Sequence, residues 1–243
     1  MSIIINGQVY GNVYGNVSNV TIVNGRVIGG GGNADKKFEQ KKSEDARNIE
    51  KIRIDSVFAN VSIRPSESSM IEAHLHGCVE DERKVKLEFC KTMSQLKIAV
   101  KIAEGSFNGN LELDITVPYK TFKEIFIKTT SADVTVNKQV STDSLKVETM
   151  SGDVETHATF KKAFAKTMSG DVDILEGANQ DVTVEVSTMS GDVSVELDNI
   201  CRISSHVKTM SGRVRDRNSH ITKEKGYEAI VNVSTMSGDV TIR

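Results

Sequence analysis

The chain has 243 residues, of which 38% are hydrophobic and 26% charged, with a formal net charge of −2. That is long enough to bury a core, and it carries no excess of positive charge to hold nucleic acid or an anionic membrane surface. Cys78, Cys90 and Cys201 form no CxxC pair, which argues against a disulfide framework or a thiolate zinc site, and no run reaches the ~18 apolar residues of a membrane span.

Residues 1–28 alternate Val and Ile with polar positions, repeat GNV at 11–13 and 15–17, and carry Asn6-Gly7 and Asn24-Gly25. They read as short strands and tight turns. Their start, MSIIINGQVYGNV, has no basic n-region, long apolar run or small-residue cleavage site. The expectation is a cytoplasmic protein, or a cell-surface one if a leader has been removed. Within the expected linker at 29–50, the glycines at 29–32 suggest a hinge, and the charged stretch 33–50 reads either as a solvated helix or as a linker.

The domain proper is expected over 51–243. Residues 52–63, 85–89, 96–102 and 111–117 alternate as strands, and Asn108-Gly109 predicts a hairpin joining the last two. Pro118, which cannot donate to a ladder, closes that strand. A six-residue phrase then takes over. TMSGDV stands at 149–154, 167–172, 188–193 and 235–240, with TMSGRV at 209–214 and TTSADV at 129–134. The motif serines recur about every 20 residues, the period of a solenoid whose coils hold two strands and two turns. IDSVFANVSI at 54–63 aligns with IKTTSADVTV at 127–136, which places a degenerate coil near Ile52. The stretch 218–226, NSHITKEKG, reads as a loop inserted in one coil. The fold class is therefore all-β, a β-solenoid of roughly 20-residue coils.

Counting back by twos from the motif threonine reaches Val147 and Leu145, Val186 and Val184, or Val233 and Val231. Thr129, Thr149, Thr167, Thr188, Thr209 and Thr235 thus belong to the apolar, inward face. Stacked at ~4.8 Å, they are expected to form a hydroxyl column in which each donates to one neighbour and accepts from another. The serine is expected inward as well. The pairs Gly152-Asp153, Gly170-Asp171, Gly191-Asp192 and Gly238-Asp239 then make a corner, glycine for its backbone freedom and aspartate for its local hydrogen bonds. Arg213 stands in the aspartate column between Asp192 and Asp239, where it would relieve repulsion among stacked carboxylates. Met150, Met168, Met189, Met210 and Met236 fall on the outward face. Such an adaptable apolar stripe suits an interaction surface, unless the N-terminal segment covers it.

Catalytic and metal readings find little to hold. One carboxylate per coil is sparse for calcium, which takes six to eight oxygens. His74-x-His76 places two imidazoles on one face of a strand, and is read as a surface pair. GxSxG, HExxH and phosphate-loop motifs are missing from the sequence. With no Trp, four Tyr and eight Phe, the chain lacks the aromatic platforms of a polysaccharide-cleaving β-helix, which leaves that reading a distant third. No enzyme activity, cofactor or metal is expected.

Residues 51–243 resemble the bacterial adhesin-like β-strand-repeat domains of unknown function. The resemblance rests on ANVSIRPSE at 59–67, LELDITVPYKTFKEIFIKTTSADVTV at 111–136 and the SGDV coils. It implies a β-solenoid without catalytic residues that binds an unidentified protein or cell-surface ligand. The GNV repeats of 1–28 are similar to those of cytoskeletal bactofilins, so the second reading is an intracellular scaffold that forms homo-oligomers. The last motif lies three residues before Arg243, which predicts an open final coil for residues 1–28, a partner or a second copy to cover.

Overall fold

The structure is a computed structural model that describes residues 2–5, 8–12, 22–23, 26–27, 36–103, 109–177, 179–216 and 226–243. At the start, β1 (Ser2–Ile5) pairs antiparallel with β2 (Gln8–Asn12), and β3 (Ile22–Val23) with β4 (Arg26–Val27). The glycine hinge expected at 29–32 lies outside the described residues.

The remaining strands build two long sheets. First come β5 (Lys36–Asp45), β6 (Lys51–Asp55), β7 (Asn60–Ser66), β8 (Met70–Val79), β9 (Val85–Thr92), β10 (Gln95–Ile102) and β11 (Gly109–Pro118). Then each coil supplies two strands: β12 (Thr121–Lys128) with β13 (Val134–Val136), β14 (Ser141–Glu148) with β15 (Val154–Thr156), and β16 (Thr159–Lys166) with β17 (Val172–Gly177). They are followed by β18 (Val182–Ser187) with β19 (Val193–Asp198), β20 (Ile200–Ser211) with β21 (Val214–Asp216), and β22 (Tyr227–Ser237) with β23 (Val240–Ile242). The first strand of each pair joins a nine-stranded sheet and the second a ten-stranded one. The fold is an all-β solenoid flattened into two faces.

Period-2 alternation sends one side of nearly every strand of the two long sheets into a single apolar core between them, the end strand β21 excepted. In one sheet Ile52, Ile125, Leu145, Ala163, Val184 and Val231 stack in parallel register. In the other Val61, Val134, Val154, Val172, Val193 and Val240 do the same. All twelve are buried. The degenerate coil expected near Ile52 is that of β6 and β7, which pairs in register with β12 and β13.

The coils do not stack in chain order. The nine-stranded sheet runs β20-β22-β18-β16-β14-β12-β6-β10-β9. The last coil in the sequence, β22 and β23, is inserted between the coil of β18 and β19 and that of β20 and β21. Two expectations fail with this: Arg213 does not interrupt the aspartate column, and the coil ending at Arg243 is not the open one. The true end is β20 and β21, where Ile203 and Val207 are half-buried and Val214 is 46% exposed. There Ser205 and Asp216 take places held by Val231 and Ile242 one coil below, and the Ser205 hydroxyl donates to the Asp216 carboxylate. A polar pair at the last layer lets water reach it at less cost than an apolar pair would.

The other end is closed by antiparallel strands. β9 pairs with β10, β8 with β11, and β5 with β8. Gln40 of β5 joins the two sheets there, its Oε1 accepting from the Leu87 N–H at 2.7 Å and its Nε2 donating to the Val85 carbonyl at 3.4 Å. Residues 36–45, expected as linker or helix, are thus an edge strand whose charges face water and whose Phe38 enters the core. The hairpin expected around Asn108-Gly109 does not form, because β10 and β11 lie in different sheets.

Candidate binding groove

The motif shapes one corner of every coil. Between a buried threonine and a buried valine lie four residues, of which Met and Ser point outward while Gly and Asp turn the chain. The serines were expected inward. They are exposed, because the alternation breaks between Met and Ser rather than after Ser. The corner backbones pair from coil to coil: Ser169 N–H donates to the Met150 carbonyl at 3.0 Å, and Gly152 N–H to the Ser169 carbonyl at 3.1 Å. This meets the demand that backbone polar groups find partners.

The glycines sit at φ +141° to +144° in the four TMSGDV corners. A Cβ on Gly170 would lie 2.2 Å from the Gly152 carbonyl oxygen of the neighbouring coil, so both conformation and space demand glycine. Ala132, at the equivalent place in the first of these corners, does not have positive φ.

The aspartates form a ladder that also fixes the coil order. Asp153 N–H donates to Asp133 Oδ1 at 2.9 Å, Asp171 N–H to Asp153 at 2.8 Å, and Asp192 N–H to Asp171 at 2.7 Å. Next, Asp239 N–H donates to Asp192 at 2.7 Å and Arg213 N–H to Asp239 at 2.8 Å. Asn60 Oδ1 begins the series by accepting from Asp133 N–H at 3.0 Å. Among the described residues the end coil has no following amide to accept, which is why its corner can carry arginine.

The threonine hydroxyls do not bond from coil to coil. Those of Thr129, Thr149 and Thr235 each donate at 3.3 Å to a carbonyl of their own corner, from Ala132, Ser151 and Ser237. Those of Thr167, Thr188 and Thr209 have no partner, and Thr209, in the end coil, is only half-buried. The expected column exists as a stack of side chains, but the three hydroxyls that bond do so to a carbonyl of their own corner rather than to the next hydroxyl.

Outside this corner the thioethers make a straight groove. In spatial order it runs Thr130, Met150, Met168, Met189, Met236, Met210, and the motif serines form its second wall. The groove encloses about 800 Å³. The four interior methionines are 46–54% exposed and Met210 81%. At ~4.8 Å per coil its length is roughly 24 Å. Among the described residues no charged side chain lines it.

A second, smaller cleft of about 260 Å³ lies elsewhere on the solenoid, lined in part by Lys138, His157, Glu176, Glu196 and Asp198. Glu176 is buried, and neither of its oxygens makes a well-formed hydrogen bond. Burial pushes its pKa up to about 7, with the Phe160 backbone N–H offsetting part of the penalty. Nothing in the local sequence, VDILEG, signalled this carboxyl beyond its falling on the inward parity.

The family model described as Toastrack DUF4097 matches residues 49–243. The chain belongs to the Toastrack DUF4097 family. The Toastrack match begins at Ile49, a fully buried residue just before β6, and leaves the edge strand β5 outside it. Among solved structures, a "putative cell adhesion protein" from Clostridium sporogenes superposes with a TM-score of 0.56 at 15% identity, over 85% of this chain and 99% of that one. A "putative adhesin" from Bacteroides fragilis gives 0.47 at 15% identity, over 84% and 97% of the two chains. At this identity the first likeness is one of fold. No curated protein matches the chain. Among the described residues no helix is long and apolar enough to cross a membrane.

Proposed function

We propose that this Toastrack chain is a non-enzymatic, adhesin-like binding module that grips its ligand through the methionine groove. The observation that carries the reading is the unbroken row of five half-to-fully exposed methionines on a rigid scaffold. Contiguous exposed apolar surface marks contact sites, and methionine re-packs to suit irregular partners. An uncharged groove some six coils long suits an extended, mainly apolar partner segment, with the serines supplying hydrogen bonds along its edge. In this reading the glycine–aspartate corners and the threonine stack are architecture, and the methionines, with the serines beside them, make the contact. The name carried by the Clostridium sporogenes fold neighbour, "putative cell adhesion protein", agrees with it and with a place at the cell surface. In this reading a short β-rich segment over 1–28 precedes the repeat domain, onto whose edge β5 pairs.

The test is retention of beads coated with the full chain on bacterial and host cell surfaces, compared with Met168→Glu/Met189→Glu. We expect the variant to bind at least ~10-fold less with an unchanged melting temperature, since both side chains are half-exposed. Equal retention of the two proteins would remove the groove from the reading. Failure of the parent chain to adhere to any surface would remove the adhesin role.

One observation favours a second reading, self-association. Among the described residues the strands of the end coil, β20 and β21, are paired on one side only, with Val214 exposed beside them. Light scattering across a concentration series would show a monomer for the full chain and for a chain starting at Lys36 if this reading is wrong. Association of both, abolished by Val207→Asp, would support it.

A further inference from the structure

One cluster outside the groove combines what a transition metal needs. His74 and His76 alternate on β8 and so share its outward face. Asp114 of β11 lies across from His74, and Glu39 of β5 across from His76. The contacts run on the diagonals: His76 Nε2 is 2.9 Å from Asp114 Oδ2, and His74 Nε2 is 3.0 Å from Glu39 Oε1. The two ring centroids are 4.5 Å apart. The His74 Nε2 atom is itself buried, and its approach to Glu39 lacks the direction of a hydrogen bond. One ligand atom from each of His74, His76 and Asp114 lies within 4.8 Å of the other two.

The geometry points to a divalent transition-metal site of the zinc class, built by His74, His76 and Asp114. A tetrahedral ion bonded at ~2.0–2.2 Å holds its ligand atoms about 3.4 Å apart, so small side-chain rotations close the site without backbone movement. The ion takes the place of the proton that lies between His76 and Asp114. Two imidazoles and one carboxylate suit Zn²⁺, Ni²⁺ or Cu²⁺, whereas Ca²⁺ and Mg²⁺ demand more oxygens than this face supplies. Three protein ligands leave a fourth position, which faces the cleft of about 470 Å³ that His74 and Asp114 share with Lys41, Glu72 and Thr116. Two cations compete for the carboxylates: Arg64 Nη2 is 3.6 Å from Asp114, and Lys41 Nζ is 2.6 Å from Glu39. Only the first of these touches a ligand of the proposed site, so Arg64 competes directly with the ion for Asp114. Cys78 follows on the same outward face of β8, so thiol binding has to be separated from the histidine site.

Isothermal titration with ZnCl2 on the full chain, with Cys78, Cys90 and Cys201 replaced by serine, tests the site. We expect one saturable equivalent, at least ~10-fold weaker after His74→Ala or His76→Ala, and no saturation with CaCl2 or MgCl2. Arg64→Gln, which removes a competing cation, should tighten binding several-fold. No saturable binding at ~100 μM Zn²⁺ would overturn the site, as would binding that survives both histidine changes. Should the histidine variants fail to fold, Asp114→Asn and Arg64→Gln decide. Unchanged affinity in both overturns the site, and weakening in the first with tightening in the second supports it.

Discussion

The backbone N–H of Asp239 donates to the carboxylate of Asp192 at 2.7 Å, although 47 residues separate them. Nearer in the chain stands Arg213, in the next motif after Asp192, yet its N–H reaches Asp239 instead. That one bond records the exchange of the last two coils. It also gives the motif aspartate a use that a lone turn would not: each side chain receives the amide of the coil above it.

Removing one rung tests this directly. Asp192→Ala should cost about 1 kcal/mol, because the Asp239 amide loses its acceptor while remaining open to water. Asp192→Asn should be close to neutral, since Asn60 already fills the same role at the start of the ladder. Arg213→Asp should change stability by less than about 0.5 kcal/mol, as no coil lies beyond it to accept from. Urea unfolding of the three variants separates them. A large loss in Arg213→Asp would show that stacked carboxylates repel more strongly than the ladder allows.

Gly170→Ala probes the corner itself. The new methyl would meet the Gly152 carbonyl oxygen at 2.2 Å in a backbone conformation that alanine rarely adopts. The expected loss is about 3 kcal/mol or more, combining strain with displacement of the neighbouring coil. A cost below ~1 kcal/mol, read from the same urea curves, would mean that the corner relaxes freely.

Removing residues 226–243 distinguishes the observed coil order from sequential stacking. If coils stacked in sequence, the deletion would strip one terminal layer and leave the rest intact. Here it empties a slot between two layers. Leu197 N–H loses the Arg243 carbonyl, Gly191 N–H loses the Ser237 carbonyl, and the end coil loses the coil it pairs with. Hydrogen exchange should therefore show loss of protection throughout 200–216 as well as in 182–198. Retained protection in 200–216 would contradict the insertion.

The sequence made some of this legible and hid the rest for physical reasons. Val147 and Thr149 could be placed inward because a strand's alternation is strict, and the methionines outward by the same parity. The coil exchange left almost no trace, because coils written in the same six residues fit one another equally well in either order. The arginine of TMSGRV was the one mark of an end coil, and it reads as such only once the aspartates are seen to bond forward. β5 was obscured because an edge strand keeps its charges in water and needs only Phe38 to anchor it. Asp114 and Glu39 could not be joined to the histidine pair from sequence, since cross-strand neighbours are set by pairing rather than by spacing along the chain.

Glu176 offers a test that depends on pH. Its folded-state pKa is raised from 4.5 to about 7 by burial. A raised carboxyl binds its proton more tightly in the folded chain than in the unfolded one, so folding favours the neutral form. Stability is therefore fully present below pH ~4.5, falls as pH rises toward ~7, and stays lower above that. A shift of this size corresponds to about 3 kcal/mol at pH 8. Glu176→Gln keeps the shape and neutral character of the protonated side chain and cannot ionise. It should match the parent chain near pH 4.5 and exceed it by about 2–3 kcal/mol at pH 8, with the difference opening between those values. Taking the difference between variant and parent cancels every other titrating group. A constant difference across pH 4.5 to 8, measured by urea unfolding at each pH, would show that Glu176 reaches water in the folded chain and ionises at its ordinary pKa.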